Sequence, residues 1–235
     1  MIGYQELIDK LEAIKEMGYV KTHRAGTTGI GKTLEDLLGV VENNIPGPNA
    51  AMIELKSARK NSSSMLTLFT KSSLPRKVNS YLLKEYGYRT LSDNQTLELH
   101  TTINAQEYNL LKDKPGFKIN IANDTLQLVA TDGRIFGYWD KTMLKRSFEK
   151  KLPKLLYIKA DTKGSGPDEQ FWFNEAHLLS GFSFDTFLDL LRQGVIKVDI
   201  RIGQYPDGRT HDHGTAFRVL PDKLDLCFEH REKIM

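Results

Sequence analysis

Two residues in the stretch IELKS have the types and spacing to do chemistry. Glu54 and Lys56 stand two apart in an alternating segment, so on a strand both project from one face. A carboxylate can hold a divalent cation, and a nearby ammonium can orient or acidify a water beside it. Together they make half of a site that hydrolyses phosphodiesters. Alone, E-x-K is common and most often marks a solvated strand face. Its context strengthens it: a short helix carrying Glu35 precedes it, and a second strand with Lys71 near its end follows.

A second stretch, GTTGIGKT (Gly26 to Thr33), satisfies G-x-x-x-x-G-K-[ST], the phosphate-cradling loop of nucleotide hydrolases. That loop requires a buried apolar strand delivering the glycines onto a helix N-terminus. Here GYVKTHRA precedes it, placing Lys21, His23 and Arg24 where such a strand should be apolar. The nearest apolar run ending in an acid, LLYIKAD, is interrupted by Lys159. A nucleotide hydrolase is therefore the lesser reading. A plainer one has the glycines break the chain ahead of a helix capped by Thr28 or Thr33.

The elements that must position these residues read as a mixed α+β chain. Tyr4, Leu7, Ile8, Leu11, Ile14 and Met17 recur at helical spacing until Gly18, and a shorter helix runs from near Lys32 to Gly39. AMIELKSA and MLTLFT alternate as strands, with a hairpin expected around the polar KNSSS. Residues 76–86 read as a helix. LELHTTIN, FKINIA and TLQLVAT suggest a meander. MLKRSFEKKL and FSFDTFLDLLRQG read as helices, LLYIKA and VIKVDIRIG as strands, and GSGPDE and QYPDGRTHDHG as loops. No clear linker appears. A single compact unit over 1–235 is expected, with a catalytic lobe near 1–90 and a recognition lobe near 91–235.

Forty per cent apolar and 27% charged residues exclude general disorder. The net charge of +3 is compatible with a polyanionic partner but weakly so. One cysteine, Cys227, excludes an internal disulfide framework and a cysteine-rich zinc site, and fits a reducing cytoplasm. The absence of a signal-type or membrane-length apolar run adds the expectation of a soluble, intracellular protein without a membrane partner.

The order helix-Glu, then Glu-x-Lys on a strand, resembles the PD-(D/E)XK nuclease core. More narrowly, TGIGKTLEDLLG, IELKS and LTLFTKS, followed by VDIRIGQYPDGRTHDHGTAFR, resemble the MvaI/BcnI group of type II restriction endonucleases, which is related to the mismatch-repair nicking enzyme MutH. The blocks recur in order over nearly the whole chain. The resemblance implies a restriction-endonuclease-like fold in which a mixed sheet is flanked by helices. It assigns Glu35 as the helix acid, Glu54 as a metal ligand and Lys56 as the catalytic lysine. The remaining metal-binding acid of the group falls on Asn49, a departure. Asparagine offers one oxygen but lacks the charge that holds a cation, so impaired cleavage is expected. The swap is isosteric, as a deliberate Asp→Asn replacement would be. A natural asparagine would leave a sequence-specific DNA-binding protein with a disabled site.

The resemblance further implies Mg2+ as cofactor (Mn2+ or Ca2+ substituting), double-stranded DNA as partner, and recognition of CC(A/T)GG or a related CCNGG site by a monomer cutting one strand at a time. It also implies a bacterial or archaeal cytoplasm and a cognate methyltransferase acting on the same site without direct binding. Its recognition surface would comprise Asp199, Arg201, His211, Asp212, His213 and Arg218. The chemistry agrees: Arg201 and Arg218 can each donate two bonds to guanine, Asp199 or Asp212 can accept from cytosine, and both histidines can reach base edges. The H-x-H pair also invites a zinc reading, but no further ligands stand nearby. Lys21, His23 and Arg24 can contact the DNA backbone or remain exposed loop charges, and Lys71 can contact the scissile strand. His100, His177 and His230 show no constellation.

Overall fold

The structure, a computed structural model, describes residues 3–39, 44–46, 52–89, 96–112 and 114–235. They cluster into two compact units, each assembled from separate segments. One takes Met1–Ser64, Lys150–Phe182 and Asp225–Met235; the other takes Met65–Glu149 and Ser183–Leu224. The expected α+β class holds.

In the first unit the strand Met52–Arg59 runs parallel to Lys154–Lys163, which pairs antiparallel with Gln170–Ser180. Asn44–Pro46 covers the start of Met52–Arg59, while Val20–Lys21 and His230–Lys233 cover parts of Gln170–Ser180. Alternation sorts the strands' residues by face. Ile53, Leu55, Leu156, Ile158, Phe171 and Phe173 meet Leu7, Leu11 and Ile14 of the helix Tyr4–Glu16 and Ile30, Leu34 and Leu38 of the helix Gly29–Leu38. Fully burying each such side chain contributes about 1.5–3 kcal/mol. This core fixes the helix that carries Glu35. Truncating Leu34 to alanine would cost ~2–5 kcal/mol and loosen that placement.

The expected hairpin around KNSSS does not form. Met52–Arg59 finds its partners within the first unit, whereas Leu66–Thr70 pairs with Ala216–Val219 in the second. Parallel pairing with Lys154–Lys163 joins residues far apart in sequence, which local patterning cannot report. Phe117–Ile121 and Thr125–Ala130 do form a meander, but its third strand is Ile135–Asp140. Leu97–Ile103 belongs to a different sheet.

That sheet runs in the order Leu66–Thr70, Ala216–Val219, Lys197–Gln204, Leu97–Ile103, Tyr88–Arg89. Within the stretch expected as a loop, Thr210–Asp212 folds back onto Ile202–Gln204. Val198, Ile200, Ile202, Leu99, Ile103 and Phe217 form the buried face. Phe217 stacks on Phe69 at 4.8 Å and meets Phe187 of the helix Phe184–Arg192 at 5.5 Å. Ser183 caps that helix by accepting from the Thr186 amide at 3.0 Å. The opposite face of the sheet is left with Arg201, Arg218, His100 and Thr102 incompletely buried. Among the described residues, no helix is long and apolar enough to cross a membrane.

Candidate functional site

The Glu54 side chain is nearly buried and lies between two ammonium groups. Oε1 meets Lys56 Nζ at 2.8 Å, and Oε2 meets Lys151 Nζ at 3.3 Å. Lys56 arrives by strand alternation, as expected. Lys151 ends the helix Lys141–Lys151, and nothing in its local sequence points to the site. Past Glu54 the strand continues through Lys56 and Ser57 beside the helix that carries Glu35. A cavity of about 510 Å³ lies there, lined by Lys56, Ser57, Glu35, Arg24 and Thr28 among others. Lys56 therefore joins the two carboxylates: Glu54 pairs with it, and Glu35 shares its cavity. Asn49 lies outside the described residues.

The donors here are carboxylate oxygens without thiolate or imidazole. That chemistry fits a hard cation that keeps much of its shell as water. Among the described residues, no three acidic, histidine or cysteine side chains converge to hold an ion by themselves. Glu54 and Glu35 are the residues available to it.

The glycine stretch frames the same cavity. Gly29 opens the helix because the Arg24 carbonyl approaches so closely that any Cβ would lie 2.2 Å from its oxygen. The Thr33 hydroxyl is fully buried, donating to the Gly29 carbonyl at 2.8 Å and accepting from the His23 amide at 2.9 Å. In a nucleotide loop that hydroxyl would face a cation instead. Lys32 is tied to Asp36 at 2.6 Å, with His23 on the other oxygen at 3.0 Å. Lys32 first, then His23, hold the Asp36 carboxyl below its usual range. The preceding strand, Val20–Lys21, is two residues long and antiparallel at a sheet edge. The nucleotide-loop context is absent from these residues.

Arg59 secures the loop from behind. It forms a two-point pair with Glu169, 2.6 Å on each arm, and donates to the carbonyls of Gly26 at 3.2 Å and Thr27 at 3.4 Å. Lys21 is exposed and pairs with equally exposed Asp168 at 3.2 Å.

In the second unit Asp199, Arg201, His211 and Arg218 share one sheet face, whereas Asp212 stands opposite the buried Ile202, a division that residue types alone do not reveal. Asp199 is buried. Its Oδ1 accepts from Thr102 Oγ1 at 3.1 Å, and its Oδ2 takes Arg201 Nε at 2.8 Å and Arg218 Nη1 at 3.0 Å. Arg218 also donates to Thr67 Oγ1 at 3.0 Å. Burial pulls the Arg218 guanidinium below its usual value, with Asp199 opposing and Arg201 reinforcing that shift. Asp212 is likewise occupied: Ser72 and Asn79 donate to one oxygen at 2.7 and 2.8 Å, and the Gly214 amide to the other at 2.8 Å.

His211 and His213 meet edge to face at 4.1 Å between ring centres. Tyr205 covers His211 at 4.4 Å, and His100 approaches His213 at 6.3 Å. This packing needs Gly203, where a Cβ would come within 2.7 Å of His211 Nε2. The strand register places His100 opposite Arg201, so the group includes a histidine that shows no constellation in sequence. Lys71 sits where strand Leu66–Thr70 ends; its amide donates to the Thr215 carbonyl at 2.9 Å, and its carbonyl accepts from Trp139 Nε1 at 2.8 Å.

Known proteins resemble the chain in sequence and in fold. The sequence profile of the MvaI/BcnI restriction endonuclease family matches residues 8–228. Among solved structures, the chain is similar to restriction endonuclease MvaI in complex with its cognate DNA substrate, at 32% identity over 98% of both chains with a TM-score of 0.82. It is also similar to MvaI in the absence of DNA, at 30% identity over 100% of this chain and 99% of that one, with a TM-score of 0.57. No curated protein sequence is a significant match.

Proposed function

The chain belongs to the MvaI/BcnI restriction endonuclease family, and from that premise we propose that it is a magnesium-dependent endonuclease that reads CC(A/T)GG or a related CCNGG site in duplex DNA. It acts as a cytoplasmic monomer cutting one strand at a time, on a site that a cognate methyltransferase also modifies. The observation that carries the reading is the Glu54–Lys56 pair, 2.8 Å apart on one strand, with Lys56 lining the cavity of Glu35.

The reaction is in-line attack of water on a phosphodiester, leaving a 5′-phosphate and a 3′-hydroxyl. Lys56 orients that water and offsets charge growing at phosphorus, while Glu54 holds the lysine in place. A divalent cation, held by Glu54 with position 49 and supported by Glu35, would supply further stabilisation of that charge. Arg201 and Arg218 donate to guanines, and Asp199 holds both in register. His211 and His213 read adjacent base edges. Arg24 and Lys71 contact the backbone, with Lys21 and His23 beside the glycine turn.

Asn49 weakens the catalytic set. Cleavage of CC(A/T)GG and CC(C/G)GG duplexes should be compared between this chain and Asn49→Asp. The aspartate form is expected to cut at least ~100-fold faster, equivalent to ~2.7 kcal/mol. Equal magnesium-dependent rates would overturn the role given to position 49. Failure to bind either duplex, together with tight binding of ATP or GTP, would overturn the nuclease reading itself.

A further inference from the structure

We propose that the small hairpin formed by Leu110–Leu111 and Lys114–Pro115 is a second DNA-binding element, gripping the sugar-phosphate backbone beside the recognition face. This rests on the nuclease reading above and extends it to residues outside the recognition group.

Three observations converge on the hairpin. The first is charge. Lys112, Lys114 and Lys118 lie within seven residues, with a single acid, Asp113, among them in the sequence. Lys112 and Lys118 rest on aromatic rings, 3.8 Å from Tyr88 and 4.9 Å from Tyr108. These contacts leave each ammonium its full charge and are worth about 0.5–1 kcal/mol when exposed. Over residues 112–118 three lysines stand against one acid, Asp113, and that excess of positive charge suits a row of phosphates.

The second is the apolar surface among those charges. Leu110 is 79% exposed and Tyr108 is 36% exposed. Deoxyribose rings offer apolar edges between phosphates, so a surface that carries both lysines and apolar side chains matches that partner. A leucine this exposed gains little from burial in a two-stranded hairpin that is itself marginal.

The third is the anchoring. Asn109 donates through Nδ2 to the Thr101 hydroxyl and to the Thr102 carbonyl, and accepts from the Phe117 amide at 2.8 Å. Its backbone also pairs with Phe117 and Gly116. The hairpin base is thus fastened to strand Leu97–Ile103, which carries His100 and supports Asp199 through Thr102. His100 lines a cavity of about 390 Å³ together with Leu110, Leu111 and Lys112. Lys112 holds φ of +43°, uncommon for a residue with a side chain. The arrangement fixes the hairpin beside the recognition face.

The test is duplex binding by fluorescence anisotropy across a salt series, with the unsubstituted chain and a Lys112→Ala/Lys114→Ala/Lys118→Ala variant. Every phosphate that the variant ceases to neutralise should flatten the log–log salt slope by about 0.9. A flattening of about 2–3 is expected, equal for cognate and non-cognate duplexes. Lys114→Glu alone, an exposed position, should weaken binding most at low salt. Leu110→Ser should lower affinity with the slope unchanged. Unchanged slopes in the triple variant and in Lys114→Glu would overturn the proposal while leaving the nuclease reading intact. Absence of duplex binding by the unsubstituted chain would overturn both.

Discussion

Lys151 reaches the Glu54 carboxylate at 3.3 Å from 97 residues further along the chain. With Lys56 on the other oxygen, a nearly buried carboxylate faces two ammonium groups. The two lysines differ in access and therefore in role. Lys56 is 22% exposed and lines the cavity, whereas Lys151 is 35% exposed and pairs with the other Glu54 oxygen.

That difference predicts a non-additive stability cycle. In Lys56→Met or Lys151→Met one ammonium still compensates Glu54, so each change alone should cost less than the roughly 3–5 kcal/mol of a buried charge left without a partner. In the double variant the carboxylate stays buried without a partner, and the loss should exceed the sum by ~0.5–3 kcal/mol. Chemical denaturation of the four proteins reads this directly. Strict additivity would mean that neither ammonium compensates for loss of the other. Cleavage separates the lysines in the opposite sense: Lys56→Met should abolish it, and Lys151→Met should leave it measurable.

Asp199 supports a prediction about recognition. It holds Arg201 and Arg218 on one oxygen, so losing its charge should release both guanidinium groups together. Arg201→Ala should cost about 1–3 kcal/mol of cognate binding and relax specificity at one position. Asp199→Asn should cost more than Arg201→Ala and relax specificity at two positions. Competition binding against singly substituted duplexes measures both. A smaller effect from Asp199→Asn than from Arg201→Ala would show that the arginines hold their own geometry.

The parts of this site that are legible in sequence are those set by local periodicity. Glu54 and Lys56, like Asp199 and Arg201, share a face because strand side chains alternate, and Gly39 marks the end of the Glu35 helix by taking the left-handed conformation there. The parts that are not legible depend on distant pairing. Lys151 reads in MLKRSFEKKL as one more charge on a solvated helix, and only the fold brings it to Glu54. His100 becomes a neighbour of His213 through the register that sets it opposite Arg201. Residue chemistry also overstates the acids. Asp199 and Asp212 suit cytosine amino groups in principle, but protein donors already engage them. The KNSSS stretch shows the same limit, since nearness in sequence suggests a pairing that two separate sheets do not make.

The last prediction concerns acid stability and involves neither catalysis nor recognition. Burial works to raise the Glu175 carboxyl, but hydrogen bonds from Lys159 at 3.0 Å and His177 at 2.9 Å outweigh it and hold the group at about 2. The unfolded chain titrates near the ordinary value of 4.5. A depressed native carboxyl stabilises the fold fully above the unfolded value. That contribution then declines as pH falls from about 4.5 toward 2, because the unfolded chain takes up the proton first. The side chain is 26% exposed, so solvent screening reduces the contribution to about 1–3 kcal/mol. Glu175→Gln should therefore be less stable than the unsubstituted chain at pH 7, and the gap should narrow through that acid window. Urea denaturation midpoints between pH 7 and 3 test it, and a gap that stays constant with pH would rule out the carboxylate's charge as its source.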